Sequence, residues 1–138
     1  MKKILISLTS LFLLLACLTT TAFAAEGSGV STYANNTAST DTIFFIKNGV
    51  AYVTVSYDGY SGITTGGTIT VKIQKRFLLV FWQDVDGAIW TDNATGDYYV
   101  NSHSISVKSG TYRVQVEYVI YGSGGEADVI TETIEATY

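Results

Sequence analysis

From Thr42 onward, apolar residues come in short runs that alternate with polar ones, and each run stops at Gly, Asn or Asp. A period of two marks a strand with one face buried. Ile43 to Ile46 form the first run, and Asn48-Gly49, which tolerates positive φ, predicts a tight hairpin into the second. There Ala51, Val53, Val55 and Tyr57 fall on one face, with Tyr52, Thr54 and Ser56 on the other. A glycine-rich loop from Asp58 to Gly67 leads to a third strand, where Ile69, Val71 and Ile73 alternate with Thr70, Lys72 and Gln74. Farther on, Ile105 and Val107 alternate with Ser104 and Ser106, and Lys108-Ser109-Gly110 turns into Tyr112, Val114, Val116, Tyr118 and Ile120, opposite Arg113, Gln115 and Glu117. A last strand from about Asp128 to Tyr138 carries Ile134, Ala136 and Tyr138 on one side and Thr131, Thr133, Glu135 and Thr137 on the other.

This pattern predicts an all-β fold. Thr, Val, Ile and Tyr suit a pleated, half-buried surface, and no stretch after residue 24 spaces apolar residues for a helix. A single antiparallel sheet would leave one apolar face wet, so two sheets must pack together. Seven or eight short strands in residues 41–138 is the count of an immunoglobulin-like β-sandwich. The chain has no proline, so Lys, Glu and glycine bulges are expected to guard the sheet edges.

One run breaks the alternation. Phe77-Leu78-Leu79-Val80-Phe81-Trp82 places six apolar residues in succession, which in a strand puts large side chains on both faces. Either the core covers one face and a loop or partner the other, or a patch is left in solvent. Phe77, Leu78, Leu79, Val80 and Phe81 are therefore the candidate interaction patch.

The first residues concern compartment. Lys2 and Lys3 precede an apolar stretch from Ile4 to Leu18, and Ala22-Phe23-Ala24-Ala25 supplies small residues around a cleavage point. This reads as a helical signal peptide over 1–24, cut after Ala24. A second reading takes Leu14-Leu15-Ala16-Cys17 as a lipobox whose acylated thiol would tether the domain to a membrane. Residues 25–40, rich in Gly, Ser, Thr and Asn, read as a flexible leader. Cleavage would remove the single cysteine, so an extracellular product would hold together without a disulfide. The formal net charge is −4 and grows more negative without Lys2 and Lys3. Such a balance disfavours nucleic acid and anionic lipid, so membrane contact is expected only through a lipidated Cys17.

Three segments carry a resemblance: Val55-Ser56-Tyr57-Asp58-Gly59-Tyr60-Ser61-Gly62, then Ile73-Gln74-Lys75-Arg76 before Trp82, then Ser109-Gly110-Thr111-Tyr112-Arg113-Val114. Together they resemble small exported proteins of Gram-positive bacteria with an immunoglobulin-like fold and no assigned activity. The resemblance implies fold and compartment and supplies no catalytic residue. Tyr112 has a reading of its own: entering a late strand, it either returns its hydroxyl to the preceding corner, as a tyrosine corner, or packs in the core.

The remaining chemistry is sparse. Asp84, Asp86, Asp92, Asn93 and Asp97 gather near Gly87 and Gly96, which suits either calcium or solvated turns; Asp84-Val85-Asp86-Gly87 lacks the third oxygen ligand of an EF-hand, and Asp86-Gly87 reads as a hairpin turn. Trp90, Tyr98 and Tyr99 could stack on sugar rings, against the plainer role of Trp82 or Trp90 as the inter-sheet tryptophan. The single histidine, His103, lies between two serines in an apparent solvent-facing position, and no nucleophile elbow occurs. No cofactor and no enzyme activity are expected. The function expected is surface contact with a protein or cell-envelope partner, the alternative being a carbohydrate-binding module.

Overall fold

The computed structural model describes residues 34–138; the signal segment and Cys17 lie outside the described residues. Seven strands follow one another: β1 (Thr37–Lys47), β2 (Val50–Gly59), β3 (Thr64–Phe77), β4 (Phe81–Thr95), β5 (Tyr98–Ser106), β6 (Thr111–Gly122) and β7 (Asp128–Thr137). All pairings are antiparallel, in a three-stranded sheet of order β1-β2-β5 and a four-stranded sheet of order β4-β3-β6-β7.

The alternating residues meet between the sheets. Ala51, Val53, Val55 and Tyr57 of β2 face Ile69, Val71 and Ile73 of β3 and Tyr112, Val114, Val116, Tyr118 and Ile120 of β6, all buried. β2, β3 and β6 thus each hide one side, and β-branched side chains fill the layer where χ1 stiffness costs least.

Several boundaries differ from the sequence reading. β1 begins at Thr37, inside the segment taken as leader, and Asn36, Thr37, Thr40 and Thr42 are buried. Hydroxyls replace apolar groups on its inner side, so no hydrophobic alternation announces the strand. The β2–β3 loop shrinks to residues 60–63, because Gly66 and Gly67 pair within β3.

Asp86-Gly87 is not a hairpin turn. Gln74 pairs with Asp84 and Lys72 with Ile89, so residues 85–88 bulge against Ile73 alone. Gly87 takes φ +74 there, and the bulge returns Ala88 to the core. One long β4 results where a turn would have given two strands.

The run 77–82 is likewise no continuous strand. It closes the β3–β4 hairpin: Phe77 pairs with Phe81, and Leu78, Leu79 and Val80 make the turn. No Gly, Asn or Asp signals it.

Candidate interaction site at one end of the sandwich

The hairpin tip combines exposure with backbone strain. Phe77, Leu78, Leu79, Val80 and Phe81 are each between 55% and 87% exposed. Leu78 sits at φ 46 and Leu79 at φ 68, left-handed conformations in which a branched side chain crowds its own carbonyl. The Val80 amide donates to the Leu78 carbonyl at 2.8 Å, a γ-turn around Leu79. Soluble surfaces seldom present so many adjacent large apolar residues.

Below the tip stands a neck of charge and aromatic rings. The Trp82 ring lies between two guanidinium groups, Arg76 at 4.9 Å and Arg113 at 4.5 Å from its centroid. Arg76 donates to Glu135 at 2.7 Å, Arg113 to Gln74 at 2.8 Å, and Gln74 to Asp84 at 2.6 Å. These contacts lie on the outer face of the four-stranded sheet and fix Trp82, a residue the sequence left between core and surface.

On the inner side of the same neck, Lys75 reaches over the Tyr112 ring, 5.5 Å from the centroid. Tyr112 is buried and donates its hydroxyl to the Lys108 carbonyl at 2.7 Å. That bond spans the β5–β6 connection, as in a tyrosine corner. A cleft of about 230 Å³ opens here, lined by Lys75, Gln83, Val85, Val107, Lys108 and Tyr112 among others.

The other candidate residues are dispersed. Tyr98 and Tyr99 are neighbours on β5 and so point to opposite sides: Tyr98 is exposed, while Tyr99 stacks on Tyr57 at 6.2 Å. Trp90 packs against the core, one ring face held by His103 at 4.8 Å. The three share no open stacking face. Of the acidic group, Asp84 serves Gln74, Asn93 accepts from Thr68 at 3.3 Å, and the Asp97 carbonyl accepts from the Gly59 amide at 2.6 Å. Among the described residues no three metal-ligating side chains converge.

His103 corrects an expectation. Its side chain is 14% exposed and closes the gap between β4 and β5, where its Nε2 meets Asp92 at 2.8 Å. Asn101 donates to the same Asp92 oxygen at 3.2 Å, and nearby burial with the Asp92 charge pushes the Tyr99 hydroxyl up from its ordinary value. A signal for this was present: Tyr99, Asn101, His103 and Ile105 share one parity on β5, and Ile105 packs against the core. The cluster seals a seam between the sheets, and it places no nucleophile beside the imidazole.

No family model matches the chain, and no curated protein does. Among solved structures, OgpA from Akkermansia muciniphila is similar at 14% identity with a TM-score of 0.39, over 73% of this chain and 29% of that one. The chain thus spans under a third of that protein's length, and a likeness so slight assigns no function.

Proposed function

We propose that this protein is a non-catalytic, exported immunoglobulin-like module that acts by surface contact with a protein or cell-envelope partner, and that the Phe77–Phe81 tip makes the contact. The exposure of five adjacent large apolar residues on a strained turn carries this reading. A turn built for stability alone would place Asn-Gly where Leu78 and Leu79 stand. Strained, exposed positions of this kind persist where a function holds them.

The immunoglobulin-like assignment is supported by the strand order, in which β5 returns beside β2 after the β3–β4 excursion, and by the Tyr112 bond to Lys108. Export is supported by the apolar stretch 4–18 behind Lys2 and Lys3 and by Ala22-Phe23-Ala24. The resemblance to small exported proteins of Gram-positive bacteria fits both.

Photo-crosslinking tests the contact. With p-benzoylphenylalanine at position 79, ultraviolet irradiation of intact producing cells is expected to give adducts with envelope material. The same probe at Ser104, on the outer face of β5, is expected to give none. Equal labelling from both positions overturns the reading.

A further inference from the structure

The apolar tip and the basic residues of the domain occupy the same end of the molecule. Apart from Lys72, which stands mid-strand, the basic residues of the described chain gather there. Lys75 and Arg76 lead into the tip, Arg113 covers Trp82 just beyond it, and Lys108 lines the cleft beside Lys75. Lys47 ends β1 beside the β1–β2 turn, where its partner Val50 pairs in turn with Ser106. Salt bridges among the described residues engage Lys72, Arg76 and His103, and Lys47, Lys75, Lys108 and Arg113 enter none of them.

Carboxylates are not absent at this end: Glu135 binds Arg76 and pairs across the ladder with Arg113, Asp84 binds Gln74 and lines the cleft with Lys75 and Lys108, and Asp86 lies in the β4 bulge. Asp58, Asp97, Glu126 and Asp128 lie at the opposite end, around the β2–β3, β4–β5 and β6–β7 connections. The net charge alone argues against anionic surfaces; its distribution reverses that argument locally, because fields beyond a Debye length of about 10 Å are screened.

The hairpin also has the right reach. The last β3–β6 pair is Lys75 with Tyr112, so Arg76 to Leu79 run past the neighbouring strand by up to roughly 10 Å at ~3.3 Å per residue. Interfacial insertion has about that depth. An apolar tip above a ring of lysine and arginine matches a layer that is hydrocarbon inside and phosphate outside.

Taking the contact reading above as its starting point, we propose that the partner is a bilayer with anionic headgroups. Leu78, Leu79, Val80 and the two phenylalanines enter the acyl boundary. Lys75, Lys108 and Arg113 meet the headgroup phosphates, with the cleft between Lys75 and Lys108 open to one of them. A lipid acyl chain on Cys17 is not needed for this attachment.

The test is co-sedimentation with vesicles of equimolar phosphatidylcholine and phosphatidylglycerol, and with vesicles of phosphatidylcholine alone. It uses residues 25–138, which hold the whole sandwich and omit the apolar stretch 4–18. The wild-type chain is expected to bind the anionic vesicles and to release as salt rises. The double variant Leu78→Asn/Leu79→Gly places preferred residues at the strained positions, so it keeps the fold, checked by circular dichroism, while its partitioning falls on the order of tenfold or more. Lys75→Gln/Lys108→Gln is expected to lower anionic binding about fivefold for each lysine removed.

Failure of the wild-type chain to bind anionic vesicles overturns the bilayer, as does undiminished binding by the turn variant. If adducts from position 79 still form on cells in that case, the contact reading stands and its partner is a protein or another envelope component that is not lipid. If neither vesicle binding nor position-specific adducts occur, both fall.

Discussion

At the end of the sandwich where β1 begins, nearly every polar group of one residue is used. Asn36 donates its amide to Asp128 at 2.8 Å and its side-chain nitrogen to the Glu126 carbonyl at 2.8 Å, while its side-chain oxygen accepts from the Gly124 amide at 3.1 Å. Its carbonyl accepts from the Thr64 hydroxyl. Gly122 makes room for this, since a Cβ there would lie 2.4 Å from the Asn36 side-chain oxygen. At the far end, Leu78 and Leu79 hold unfavourable φ angles with their side chains in water. The same two sheets support both ends, so the fold itself does not impose the second arrangement. The contrast teaches that the tip's exposure and strain are local properties of five residues.

The largest effect that could break this contrast lies at the tied end. Asp128 is buried and accepts from two backbone amides, Asn35 at 2.9 Å and Asn36 at 2.8 Å. Asp128→Ala strands both donors. A charged acceptor contributes about 1.5–3 kcal/mol per bond, so the variant is expected to lose about 3 kcal/mol by urea denaturation and to free the start of β1. A loss under about 1 kcal/mol, within the spread of ordinary surface changes, would show that this end is no better secured than the tip.

How much of this was legible in the sequence follows the same division. Where an inner face is apolar and its alternation unbroken, as at Ala51, Val53, Val55 and Tyr57 or from Tyr112 to Ile120, the pattern located the strand and its buried side, whereas the bulge in β4 hid that strand. Where the inner face is polar, the pattern missed the start of β1 and, in β7, located the strand but not its buried acidic groups. Thr37, Thr40, Asp128 and Glu132 are all buried, and the Thr40 hydroxyl reaches Glu132 at 2.5 Å across 92 residues of sequence. No local rule supplies a partner that distant. The tip was half legible: the broken alternation at 77–82 singled out the patch, but a turn formed by two leucines contradicts turn chemistry and reads as strand. His103 was misplaced although its parity with Ile105 was available, because flanking serines suggested solvent.

A middle-sized effect sharpens the comparison from the tip. Left-handed φ costs a non-glycine residue about 1–2 kcal/mol. Leu78→Asn/Leu79→Gly relieves part of that at both positions, while side chains exposed this far contribute little packing. The double variant is therefore expected to gain about 1–2 kcal/mol, seen as a higher urea midpoint with unchanged slope. Equivalent relief is not on offer at the tied end, where Gly122 and Gly124 already occupy the close approaches. A stability gain joined to loss of partitioning would locate the strain and the function in the same two residues.

The smallest effect compares the tyrosine tethers. Tyr57 donates to the Gly96 carbonyl at 3.0 Å at one end, and Tyr112 to the Lys108 carbonyl at 2.7 Å at the other. Replacing either by Phe removes one neutral hydrogen bond, worth about 1 kcal/mol. Tyr57 differs in titration: burial first, then the charges of Asp97 and Tyr99, push its hydroxyl above the ordinary 10.0. A raised value means the folded chain keeps a proton that the unfolded chain releases. The contribution is full below pH 10 and is lost as pH climbs from there toward the folded value. Burial likewise pushes Tyr118 up, so wild-type stability is expected to fall above pH 10 through both residues. Tyr57→Phe removes one of the two, and the gap between wild type and variant in urea midpoint should narrow as pH rises past 10. A gap that stays constant with pH would mean that the Tyr57 proton is no better held in the folded chain than in the unfolded one.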